Sequence, residues 1–271
     1  MIPLYKLLKT HNFNIDNLSL ITKSKNKFIY SCNVEGQKTI LKYFKGKYQL
    51  EKFNNEKNFY IEKNKFNIFK VPKLILEIKN NQEAILLISK INGKKINYFK
   101  SLFIKINISS KKNINAEKYF NVKKYGKKIN NLIKKNYKTY NIKISESHGD
   151  LIHWNIINFK KKLYTYDFEF FSKERNIYFD FFKLYFLPVI HKKIKFNIFN
   201  IKFFNNIFIF IFFMFTKLKK IKISFKDFRA QYVFFLIELY TLIKNENKFN
   251  NVSNSLYKDL EKNIRIKLAS E

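Results

Sequence analysis

The chain has 271 residues, 46% of them apolar, which is enough for one large domain or two lobes and excludes wholesale disorder. Its formal charge of +34 invites a nucleic-acid reading, but only three of its 54 basic residues are arginine (Arg175, Arg229 and Arg265). A surface that reads phosphates or bases would draw more on the bidentate guanidinium fork. The composition points instead to a solvated lysine-rich surface that attracts anionic nucleotides, acidic glycans or lipid head groups, and no nucleic-acid partner is expected.

Cys32 is the only cysteine, so no intrachain disulfide forms, which suits a reducing compartment. Met1 to Thr10 lacks the apolar core and small-residue cleavage site of a signal peptide. The most apolar run, Ile207 to Phe215, is shorter than the roughly 20 residues of a spanning helix and is expected to be a buried helix. A cytoplasmic location is therefore expected, with peripheral contact at an anionic inner-membrane surface as the alternative.

In chain order, Leu18 to Ile21, Lys27 to Val34 and Thr39 to Phe44 are short runs rich in β-branched and aromatic residues and predict strands, with Glu35-Gly36 as a hairpin turn. Lys47 to Lys65 lacks glycine and proline, spaces its apolar residues as a helix does, and is followed by Val71-Pro72. Leu74 to Ile78 and Ala84 to Ser89 predict two more strands, and Ile91-Asn92-Gly93 a connector. Beyond it the pattern is mostly helical, with helices over Ile129 to Tyr140 and Phe228 to Lys244 and an irregular section from Ser147 to Phe171. His11 and His191 read as incidental.

Only six aspartates occur, and three of them, Asp150, Asp167 and Asp180, fall in a stretch that also holds His148, His153 and the only tryptophan, Trp154. Asp150 and Asn155 are five positions apart, the spacing that phosphoryl transfer uses for the residue receiving the acceptor proton and for a Mg²⁺ ligand. Twelve residues after Asn155 comes Asp167, within Tyr166-Asp167-Phe168-Glu169. Oxygen donors such as Asn155 and Asp167 suit Mg²⁺. His153 has no second histidine or cysteine at zinc spacing and reads as a hydrogen-bonding loop residue.

His148-Gly149-Asp150, Asn155 and Asp167-Phe168-Glu169 together resemble the aminoglycoside phosphotransferase and choline kinase family. Trp154-Asn155 and Tyr178-Phe179-Asp180-Phe181-Phe182 resemble a bacterial branch associated with surface polysaccharide or lipopolysaccharide biosynthesis. The resemblance spans roughly residues 15 to 185. It implies an α+β, bilobal, protein-kinase-like fold. Residues 1–90 would form a nucleotide-binding lobe of antiparallel sheet and one helix, residues 91–271 a larger helical lobe, and Mg-ATP would lie between them. It implies Asp150 as the catalytic base, Asn155 and Asp167 as metal ligands, His148 as a loop support and Asp180 as a structural carboxylate. Lys42, at the end of its strand, would contact the α/β-phosphates and pair with Glu56, Glu51 being the competing candidate. The backbone of Ser89 and Ile91 would bond the adenine edge.

Two features depart from the pattern of protein kinases. Thr22 to Lys27 holds no glycine where a glycine-rich phosphate loop is usual, and Glu169 replaces the glycine of the metal motif. Glu169, with Gly149 in place of an arginine, argues for a small-molecule or glycan acceptor over a protein, while the glycine-free loop motivates a non-catalytic alternative. An ATP-dependent phosphotransferase acting on a hydroxyl of a cell-envelope sugar is the first expectation. A choline- or aminoglycoside-type kinase and a catalytically degenerate kinase-like binding protein are the alternatives.

Overall fold

The structure is a computed structural model that describes residues 8, 15–24, 26–63, 65–109, 111–122, 127–187 and 206–250. Apart from Leu8, the N-terminal decapeptide lies outside these residues, as do His11 and His191. The elements run β1 (Asp16–Ser24), β2 (Lys27–Val34), β3 (Gln37–Lys45), α1 (Lys47–Glu62), β4 (Lys65–Phe66), β5 (Phe69–Lys70), β6 (Leu74–Lys79), β7 (Glu83–Ser89), β8 (Lys94–Lys95) and α2 (Tyr98–Ser101). They continue with β9 (Lys112–Asn115), α3 (Ala116–Val122), α4 (Lys127–Asn136), β10 (Asn141–Ser147), β11 (Ile156–Phe159), β12 (Lys162–Thr165), β13 (Ser172–Asn176), α5 (Phe179–Tyr185), α6 (Asn206–Leu218) and α7 (Phe225–Asn250). The chain divides into two compact units.

The first unit comprises Met1–Ile96, His148–Asp150 and Trp154–Phe171. Its main sheet has the order β1-β2-β3-β7-β6, with every neighbour antiparallel. β2 and β3 pair in unbroken register from Lys27↔Phe44 to Val34↔Gln37. The turn between them is Glu35-Gly36, with φ of 50° and 74°, the paired left-handed geometry that two-residue hairpins favour. Strand alternation divides the sheet's faces. Leu41 and Tyr43 of β3 join Tyr30, Cys32, Ile85 and Leu87 in one apolar layer. Ile40, Lys42 and Phe44 point to the other face. α1 buries Gln49, Leu50, Lys52, Phe53, Glu56, Phe59 and Tyr60, a helical stripe that carries two charged residues inward. A second, smaller sheet runs β4-β5-β12-β11-β8 and holds the segment around Asn155 and Asp167. Its two-residue strands β4 and β5 are too short to register as a sequence pattern.

The second unit comprises Asn97–Ser147, Leu151–His153 and Ser172–Glu271. It carries a three-stranded sheet, β13-β10-β9, and a core built from Tyr119, Phe120, Ile142, Ile144, Phe234 and Ile237 among others. The mostly helical pattern expected beyond residue 93 holds, but this three-stranded sheet was not expected within it. β10 is a strand because Ile142 and Ile144 are buried while Lys143 between them is exposed, a period of two. The helix expected over residues 129–140 ends at Asn136, and Ala116 N–H to Tyr140 O (2.9 Å) ties the return into β10.

The helix expected from Ile207 to Phe215 forms as α6, but it is not wholly buried. Ile209 and Phe212 are enclosed, and Phe212 stacks on Phe186 at 3.8 Å between ring centroids. Phe210, Ile211 and Met214 remain exposed, because a helix that is apolar all round needs partners on every face. No helix among the described residues is long and apolar enough to cross a membrane.

Candidate active site

Strand register places the first group. Lys42 sits opposite Ile29 on β2 and Leu86 on β7, with its side chain on the face that carries α1. Its ammonium is 2% exposed and donates to Glu56 Oε1 (2.8 Å) and Oε2 (2.9 Å) and to Asp167 Oδ1 (2.7 Å). Glu56, not Glu51, is thus the partner. Burial disfavours the charged lysine, but the carboxylates of Asp167, Glu56 and Glu169 together outweigh it and hold Lys42 well above the ordinary lysine range.

Phe168 is the wedge that orients its neighbours. Its ring is fully buried, stacked on Phe59 at 3.6 Å, and edged by Tyr60, Phe66 and His148. Asp167 enters that wedge with φ 73°, a left-handed conformation in which side chains are strained. Asp167 is 27% exposed, while Glu169, two positions further on, is 3% exposed. Burial would raise the Asp167 carboxyl, yet Lys27 and Lys42 hold it well below the usual carboxylate range. Burial and the neighbouring Asp167 charge push Glu169 up to about 7, against the opposing pull of Lys27, Lys42 and Lys52.

The loop before β11 is organised by His148, which is fully buried. Its Nδ1 accepts from the Asp150 backbone N–H (3.2 Å), so the proton of a neutral ring sits on Nε2. That nitrogen lies 3.0 Å from Tyr166 O and 3.0 Å from Thr165 Oγ1. One imidazole therefore ties the segment carrying Asp150 to the segment carrying Asp167. Gly149, at φ 78°, makes the turn between His148 and Asp150 in a region that glycine enters without strain. Asn155 Nδ2 donates to Asp150 O (2.9 Å) and to Asp150 Oδ2 (3.0 Å), which leaves its Oδ1 as the acceptor available to a cation.

A cavity of about 320 Å³ adjoins these residues. Its walls are largely apolar, from Ile21, Ile29, Ile40 and Ile88, and its polar end holds Lys42, Asn155 and Asp167. Ser89 and Ile91 also line it. The Ser89 backbone N–H is already spent on Lys73 O (2.9 Å) and its Oγ accepts from Lys73 N (2.9 Å), so of its backbone groups the carbonyl is the one left for a ligand. Asp180 belongs to the second unit, where it lies buried in the first turn of α5.

The donor set at the polar end consists of oxygens: the Asn155 amide and the carboxylates of Glu56, Asp167 and Glu169, the last three offering atoms within 4.8 Å of one another. Hard oxygen donors of this kind fit Mg²⁺ better than a soft transition metal.

Sequence reasoning found Lys42, Glu56, His148, Asp150, Asn155 and Asp167, and the first unit brings all six together. It missed Lys27. That ammonium is 3.7 Å from Asp167 Oδ1 and in direct contact with Glu169 Oε1. The available signal was strand alternation, because Lys27 shares a face of β2 with the cavity residue Ile29.

The fold is α+β and protein-kinase-like. It is shared with an aminoglycoside phosphotransferase, APH(4)-Ia, at a TM-score of 0.57 and 7% identity over 97% of each chain. A thermostable form of that enzyme in ternary complex with ADP and hygromycin B matches at a TM-score of 0.57 and 7% identity, covering 96% of this chain and 97% of that one. A protein of Haemophilus somnus 129PT assigned as a fructosamine-3-kinase matches at a TM-score of 0.52 and 13% identity over 95% of each chain. No family model matches the sequence, and no curated protein does.

Proposed function

We propose that the chain is an ATP-dependent phosphotransferase that phosphorylates a hydroxyl of a small molecule or glycan. One observation carries this reading: Lys42, buried and bonded to both Glu56 and Asp167, stands at the polar end of an apolar cavity that also receives Asn155. The isoleucine walls suit an adenine ring, with the Ser89 carbonyl and the Ile91 backbone at its edge. Lys42 would fix the α/β-phosphates, with Glu56 holding its ammonium in place.

Asp150 would accept the proton of the acceptor hydroxyl and point it in line with the γ-phosphoryl group. Asn155 and Asp167 would hold Mg²⁺, which when bound spreads the charge that develops on the transferring group. His148 and Asp180 would support the catalytic loop. Catalysis would then rest on positioning and electrostatics. The expected lobes divide the work between residues 1–90, which would supply the nucleotide-binding sheet and helix, and residues 91–271, which would supply the catalytic loop, the metal ligands and the acceptor site.

A cell-envelope sugar, such as one of a lipopolysaccharide core, is the acceptor favoured by the Trp154-Asn155 pattern and by the lysine-rich surface. Aminoglycosides and fructosamines are the acceptor types that the structural neighbours suggest. A cytoplasmic site of action, peripheral to an anionic membrane, fits a glycan acceptor.

ADP release measured across a panel of envelope sugars, aminoglycosides and amino-alcohols tests the assignment. Asp150→Asn is expected to abolish turnover of the best acceptor while Mg-ATP binding stays within a few fold. Full turnover in that variant overturns the role of Asp150.

A further inference from the structure

We infer that Lys27 is a second phosphate-binding lysine, taking over the task that a glycine-rich loop performs with backbone amides. The inference rests on the nucleotide-binding reading above. The β1–β2 hairpin closes with Ser24 paired to Lys27, so only residues 25 and 26 lie between the strands. Thr22 to Lys27 holds no glycine, the residue that most readily lets a loop turn successive N–H groups onto phosphate oxygens. The hairpin instead turns a side chain inward. Lys27 and Ile29 alternate onto the same face of β2, and Ile29 lines the cavity beside Lys42. The Lys27 ammonium lies against Glu169 and 3.7 Å from Oδ1 of Asp167, the carboxylate that lines the polar end of that cavity.

Lys27 is also held in place. Glu169, 3% exposed, anchors it, and Lys52 reaches the other oxygen of the same carboxylate at 3.5 Å. An ammonium has three donors, so Lys27 can keep Glu169 and still donate to a phosphate oxygen. Lys27 and Lys42 share the Asp167 and Glu169 carboxylates, and the ligand matched to that pair is the phosphate chain of a nucleoside di- or triphosphate. A nucleoside without phosphates would gain nothing from Lys27.

Calorimetric titration of the full chain with Mg-ADP and with adenosine tests this. Lys27→Met is expected to weaken Mg-ADP at least about tenfold, the loss of one charge-assisted contact, and to leave adenosine affinity unchanged. Lys23→Met, which removes an exposed lysine from the same hairpin, is expected to bind both like the wild type. The double variant Lys27→Met/Glu169→Met removes both ends of the ion pair, so it strands no buried carboxylate, and it should show the same selective loss. Wild-type Mg-ADP affinity in the two Lys27 variants overturns the inference. An equal loss for adenosine, or an equal loss in Lys23→Met, also overturns it. A wild-type chain that binds neither ligand overturns the nucleotide-binding reading itself, a different pattern from the other three.

Discussion

Lys27 and Glu169, 142 positions apart, form a partly buried ion pair. Lys27 opens strand β2, and Glu169 follows Phe168. Together they neutralise each other, with Lys52 as a third member and a stack of its ammonium over the Phe170 ring at 4.6 Å. One electrostatic contact therefore ties the start of β2 to the segment that carries Asp167.

The Lys42 cluster predicts an asymmetry between its members. Lys42→Met strands Glu56, which is fully buried, and removing one partner of a buried pair costs roughly 3–5 kcal/mol. Glu56→Gln costs less, because Asp167 stays 2.7 Å from the Lys42 ammonium. Urea denaturation should rank the wild type above Glu56→Gln, and Glu56→Gln above Lys42→Met. Equal midpoints for the two variants would show that Asp167 gives Lys42 no compensating support.

Phe168 should act on the site through its neighbours. Phe168→Ala removes a ring stacked on Phe59 and edged by three others, a change worth about 3–5 kcal/mol. It also frees the backbone that positions the clustered carboxylates of Asp167 and Glu169. Phe168→Leu should cost less stability while still weakening Mg-ADP binding severalfold, as read by thermal melting and titration. A leucine variant with lowered stability and wild-type affinity would confine Phe168 to packing.

His148 links the Asp150 backbone N–H to Tyr166 O through its two ring nitrogens. His148→Gln can replace one of these bonds but not both, and each buried group left without its partner costs about 1–3 kcal/mol. Turnover should fall well beyond any change in KM for ATP, because Asp150 loses its fixed backbone while the Lys42 end of the site is untouched. A rise in KM for ATP at constant kcat would contradict that division.

Much of the site was legible because it lies in two kinds of local pattern. His148, Asp150, Asn155 and Asp167 fall within twenty residues, and their spacing survives an extreme lysine and asparagine bias. Lys42 and Glu56 lie on a strand and the helix that follows it, where register is short-range. Lys27 was hidden by number, one ammonium among 51, and its meaning depends on a partner 142 positions away. The Phe168 box was hidden for the same reason, since 32 phenylalanines make no single one conspicuous. The strand β10 was overlooked because isoleucine and lysine alternate on a background where both are common. The half-exposed α6 was misjudged because hydropathy measures what a helix could bury and not how many neighbours it meets.

Asp167 offers the sharpest test of the cation site. Its φ of 73° is tolerated by asparagine as well as aspartate, so Asp167→Asn should keep the backbone turn. It removes one negative charge between Lys27 and Lys42, leaving Glu56 and Glu169 to balance the lysines. The fold should therefore persist, and the positive end of the cavity should still attract phosphates. What should vanish is the dependence on metal. Chelating Mg²⁺ with EDTA is expected to weaken ADP binding to the wild type about tenfold or more and to leave Asp167→Asn unchanged, because an amide is a poorer Mg²⁺ ligand than a carboxylate. A variant that keeps the full Mg²⁺ dependence of the wild type would move the cation away from Asp167 and toward Glu169 or Glu56, the other oxygens of the cluster.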